Sequence, residues 1–111
     1  MAKEHLLFDK TEIVAMVMVK NERAQKRAQM VNLKYDKIVS ISIKPHEEKT
    51  LFGKKPSELI EIVVSGRSEP IVYTKLKEIK FWEGYKQGLE IFARENRISF
   101  TDETATEAAA T

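Results

Sequence analysis

The residue types that carry reaction chemistry are thinly spread along this chain. Histidine stands only at positions 5 and 46, and cysteine is absent. Disulfides, thiolate zinc sites and thiol nucleophiles are therefore excluded. His46 is followed by Glu47 and Glu48, all metal-ligand types. Consecutive residues of an extended segment point in different directions, however, and no third spaced ligand follows. This cluster reads as a solvated loop, and His5, at a strand start, reads the same way. Ser40, Ser42, Ser57, Ser65, Ser68 and Ser99 are scattered. None stands in a nucleophile elbow, and neither histidine is placed as its base. Gly53-Lys54 lacks the preceding glycine of a phosphate-cradling loop. The expectation is a protein that is not an enzyme, with no metal site and no cofactor.

Binding chemistry is better represented. Lys20, Arg23, Lys26 and Arg27 crowd one segment, while Lys49, Lys54 and Lys55, with Lys44 upstream, crowd another. Clustered cations attract phosphate groups, and a lysine near an anionic leaflet adds about 1 kcal/mol. These residues are the candidates for binding an anionic membrane or phosphate groups. Glu22, Glu47 and Glu48 dilute both segments, so solubilising loop charge is the plainer reading. A nucleic-acid partner would need a continuous basic face with exposed aromatics. Trp82, Tyr85 and Phe92 fall instead on one helical stripe, with Phe81 beside it. Of Phe52, Tyr35 and Tyr73, only Phe52 is flanked by a basic loop. Nucleic acid therefore ranks below a protein partner or a second copy of the chain.

The elements that must position these residues fit one domain. The chain has 111 residues, 42% apolar and 32% charged, the balance of a soluble globular protein. Its longest apolar run, Ile13–Val19, is seven residues, against about 20 for a membrane span. Glu12 precedes it and Lys20 follows, unlike a signal peptide. No integral membrane segment and a cytoplasmic location are expected. Residues 101–111 (TDETATEAAAT) hold no large apolar side chain and read as a disordered acidic tail. The tail accounts for −3 of charge, so the overall +2 conceals a domain, residues 1–100, of +5.

Strands dominate that domain. Short runs at 4–8 and 12–20 are followed by alternation at 30–35 (Val31, Leu33, Tyr35) and at 38–44 (Val39, Ile41, Ile43). The apolar Ile13–Val19 run suits a strand covered on both faces, or one central in a curved sheet. Pro45 should end the fourth strand because it cannot donate to a ladder. The polar segment 46–57 reads as loop. Strands at 58–65 and 70–74 form a hairpin around Gly66–Pro70. Residues 21–29 have no apolar stripe and read as a long hairpin loop with a helical turn, a regular helix being the alternative. From 75 to 96 the period becomes helical, with Trp82, Tyr85, Leu89, Phe92 and Ala93 on one stripe. Glu83, Gln87, Glu90 and Arg94 lie opposite, and Asn96 is a left-handed stop. Gly88 lies beside the stripe and either permits close approach to a sheet or is simply tolerated there.

The run Val31-Asn32-Leu33-Lys34-Tyr35-Asp36-Lys37-Ile38-Val39-Ser40-Ile41 resembles the strand-turn-strand of bacterial pleckstrin-homology-like (PH-like) domains. Gly53 and Lys54 sit where that family has glycine and lysine in the next hairpin loop. The Trp82-Tyr85-Leu89-Phe92 helix stands in the place of its capping helix. The resemblance spans roughly residues 4–97. It implies a mainly β fold: a bent antiparallel sheet or partly open barrel capped by one C-terminal amphipathic helix. It also implies basic loops at the open end, although the family's lysine-x-arginine spacing is missing because Lys26 and Arg27 are adjacent. Six strands at most are legible here, against the family's seven. An incomplete barrel leaves a sheet edge exposed, and that invites self-association. The expected function is a non-catalytic interaction or adaptor module.

Overall fold

The computed structural model describes residues 4–104. They form two sheets and one helix. The first sheet has the order β1-β2-β3, from β1 (Leu6–Phe8), β2 (Glu12–Lys20) and β3 (Lys26–Lys34). A 3-10 turn, Tyr35–Lys37, leads into the second sheet. That sheet has the order β6-β5-β4-β7, from β4 (Ile38–Thr50), β5 (Gly53–Val64), β6 (Ile71–Thr74) and β7 (Ser99–Asp102). Helix α1 (Trp82–Asn96) lies between β6 and β7 in sequence. The fold is mainly β with one helix near the C-terminus, as expected, but the sheets do not close into a barrel.

Apolar faces meet between the layers. Ile13 and Ala15 of β2, Ile41 and Ile43 of β4, and Ile60 and Ile62 of β5 are buried against Trp82, Tyr85, Leu89 and Phe92 of α1. β2 is central in its sheet. Its inner set is buried from Ile13 to Val17 and exposed at Val19, and its outer set is half-covered at Val14 and Met16 and exposed at Met18. A bulge between Ile38 and Ser40 turns the β4 alternation. Ile38 is buried and Val39 exposed, so Val39 does not share the face of Ile41 and Ile43.

Several sequence expectations are corrected. Residues 26–29 belong to β3, and the connection shrinks to a tight turn over Asn21–Gln25. Asn21 Oδ1 accepts the N–H groups of Arg23 and Gln25 at 3.0 and 2.9 Å, and Ala24 takes φ 60. The strand gave no apolar alternation because its distal half is exposed on both faces.

Residues 46–50 and 53–57 are likewise strand, not loop, with a two-residue turn at Leu51 and Phe52: β4 and β5 run on as a two-stranded arm, and Pro45 lies within β4. Lys75 N–H donates to Glu58 O at 2.9 Å. Glu58 thus turns its backbone away from β4, and Pro45–Glu58 is a non-hydrogen-bonded pair in which no donor is required. The missing N–H faces the side beyond the end of β7, which stops opposite Ile43.

Helix α1 begins at Trp82; residues 75–81 form turns, with Glu78 N–H bonded to Thr74 O and Phe81 N–H to Glu78 O. Arg97 takes the left-handed conformation at its end, at φ 56. Asn96 instead donates its amide to Phe92 O and Lys10 O, both at 2.9 Å. Strand β7 is a seventh strand, parallel to β4, built from residues expected in part to be disordered tail. Residues 105–111 of that tail lie outside the described residues.

Candidate functional site

The sheets leave a seam where a barrel would close. β1 pairs with β2 only as far as Ala15, and the last bond on that side is Met16 N–H to His5 O at 2.8 Å. Backbone groups of alternate residues point the same way. Met18 and Lys20 therefore also direct theirs toward the side β1 has vacated. On the opposite bank, β6 pairs only with β5. The Lys75–Glu58 bond sets the phase there: Val72 turns its N–H and C=O outward. Met16, Val17 and Met18 line one cleft of about 500 Å³ together with Ile71, Val72, Tyr73 and Thr74.

Three of the cleft's titratable groups, His5, Tyr73 and Glu78, are tied into the fold, whereas Arg67, Glu69 and Lys77 line it exposed and without an ion pair among the described residues. Tyr73 reaches across the gap and donates its hydroxyl to Met16 O at 2.7 Å. A gap spanned by a tyrosine side chain is wider than the roughly 4.8 Å between paired strands. Burial pushes the Tyr73 hydroxyl well above its ordinary range, helped by the Glu78 charge. His5 N–H donates to the Tyr85 hydroxyl at 2.7 Å, and His5 Nδ1 meets Glu78 Oε1 at 2.5 Å. His5 is thus a strut between the N-terminal strand and the segment before α1, not a solvated loop residue.

Two carboxylates hold the root of the arm. Glu48 accepts from Ser57 Oγ at 2.6 Å, Thr74 Oγ1 at 2.9 Å and Leu76 N–H at 3.1 Å. Partial burial opposes its ionisation, but these donors and nearby His46 prevail and hold its pKa below the ordinary value. Glu58 accepts from Trp82 Nε1 and Lys86 Nζ, with the same result. Among the described residues, no group of three or more metal-ligating side chains lies together.

The seven basic candidates divide between two hairpin tips. Lys20 lies opposite Lys26, and Arg27 opposite Val19, with Arg23 in the turn between. Lys49 lies opposite Lys54, and Lys55 opposite Glu48. None of the seven takes part in an ion pair among the described residues, and no hydrogen bond there joins one tip to the other. Leu51 and Phe52 cap the second tip, 98% and 92% exposed. Their sequence signal was an apolar pair set among lysines just before a glycine. The seam left no local signal, since it arises from strands distant in sequence.

No helix among the described residues is long and apolar enough to cross a membrane. Comparison with protein-family models, with curated proteins and with solved structures returns no match for this chain.

Proposed function

We propose that this chain is a non-catalytic interaction module that pairs through its open seam with an extended strand of a second copy. The observation that carries this reading is the pair of outward-facing backbone positions, Met18 and Val72, on opposite banks of one cleft. Backbone groups on a strand edge bind a further strand by main-chain hydrogen bonds, and the side chains around them set the register. The absence of catalysis in this reading is supported by the partly buried polar groups at the seam. His5, Glu78, Tyr73 and Tyr85 are spent on holding elements together.

The same proposal places the chain with PH-like domains of bacteria and in the cytoplasm. Support comes from the paired sheets with a helix following the sixth strand, and from a composition without cysteine. The parallel β7 is a departure from that plan.

Light scattering coupled to size exclusion tests the proposal. The mass should rise above the monomer with concentration and change little with salt, because the contact is backbone-paired. Val72→Pro, which removes the outward N–H, should remain monomeric with an unchanged circular dichroism spectrum. A monomer at every concentration, or a Val72→Pro variant that assembles normally, would overturn it.

A further inference from the structure

The tip of the β4–β5 arm is built unlike a turn that faces only water. Such turns carry glycine, asparagine or aspartate, yet here Leu51 and Phe52 are 98% and 92% exposed. The turn itself is well held. Thr50 Oγ1 donates to Gly53 O at 2.7 Å and accepts Phe52 N–H at 3.2 Å. Gly53 takes φ +106, a conformation that suits a residue without Cβ. The two apolar side chains are therefore presented by a fixed turn.

The charges next to them are of one sign, and the nearest exposed acid, Glu47, lies one step further down the arm on the Lys49 face. Lys49 and Lys54 face each other directly behind the tip, and Lys55 follows on the opposite face. Glu48 is Lys55's register partner, but its carboxylate is taken by Ser57, Thr74 and Leu76 at the arm's root. It leaves Lys55 without an ion pair among the described residues. Residues 51–56 are all exposed.

We infer that this tip anchors the protein to an anionic bilayer: Leu51 and Phe52 enter the boundary between headgroups and acyl chains, and Lys49, Lys54 and Lys55 meet the anionic headgroups. An apolar wedge with a cationic collar matches the layering of such a surface, apolar below and negative above. A soluble phosphate would engage the lysines and leave Leu51 and Phe52 without a role. One tip of this size binds weakly and reversibly. The inference uses a surface separate from the seam and stands without the self-pairing proposal.

Co-sedimentation of the full chain with phosphatidylcholine vesicles, with and without phosphatidylserine, tests it. Binding should require phosphatidylserine and weaken with salt. Each of Lys49→Ala, Lys54→Ala and Lys55→Ala should reduce partitioning about fivefold. Leu51→Ala combined with Phe52→Ala should reduce it about tenfold or more, with the unfolding midpoint unchanged. In Phe52→Trp, added fluorescence should shift to the blue on phosphatidylserine vesicles and be quenched by brominated lipid. Failure to bind phosphatidylserine vesicles would overturn the inference. So would undiminished binding by the Leu51/Phe52 double variant, which would leave a site for phosphate alone. Salt-sensitive capture of an oligonucleotide in preference to vesicles would also overturn it.

Discussion

Trp82 donates its indole N–H to Glu58 Oε1 at 2.7 Å, and the same oxygen receives Lys86 Nζ at 3.1 Å. The first two turns of α1 are thereby clipped to β5 where the arm leaves the body. Lys86 Nζ also donates to Thr104 Oγ1 at 3.0 Å. The cap, the arm and the segment after β7 therefore meet around one carboxylate.

That carboxylate makes stability depend on acid pH. Burial opposes ionisation of Glu58, but bonds from Trp82 and Lys86 and the charges of Lys86 and Lys75 lower its pKa below 4.5. A group with a depressed folded-state value contributes stability above its unfolded value and loses it as pH falls through the folded one. Urea midpoints should fall as pH drops below about 4.5, with Glu48 contributing in the same direction. Glu58→Gln should be less stable at neutral pH and show a shallower acid limb. An acid limb identical to that of the parent chain would contradict the clip.

Trp82 is also core. It is 1% exposed, so Trp82→Ala should cost roughly 3–5 kcal/mol in denaturant unfolding. Trp82→Phe keeps much of the volume but strands Glu58 with one donor fewer, at about 1–3 kcal/mol. A loss below about 1 kcal/mol for Trp82→Ala would place the apolar stripe against something other than the core.

Phe8 lies over Gly88. A Cβ at position 88 would stand 2.5 Å from Phe8 Cε2, so the ring must move to admit one. Alanine in a helix interior is worth about 1 kcal/mol over glycine. Gly88→Ala should realise that gain only in a Phe8→Ala background, and lose most or all of it in the parent chain. Additive effects in the double-mutant cycle would show that the two residues are uncoupled. Gly84, with open space around it, should show the full gain on its own.

Where a face is buried, the sequence was legible. Ile60, Ile62 and Val64 alternate because one side of β5 meets the core, and Trp82, Tyr85, Leu89 and Phe92 recur because one side of α1 does. The distal halves of both hairpins lie beyond the core and so carry no burial pattern. Residues 26–29, 46–50 and 53–56 are strand, although their composition is that of loops. Pro45 does not end β4 because its position in the ladder asks for no donor. Strand β7 carries only Phe100 as a large apolar residue and pairs across a long sequence separation. The basic candidates were legible as clusters, but the seam between Met18 and Val72 depends on which backbone groups tertiary pairing leaves over.

Amide hydrogen exchange at Val72 and Met18, followed by NMR as protein concentration is raised, addresses the proposed strand pairing most directly. Backbone pairing at the seam predicts that both amides become protected as the mass rises, while amides in the Asn21–Gln25 turn keep their rates. Assembly without added protection at Val72 and Met18, or no assembly at all, would contradict it.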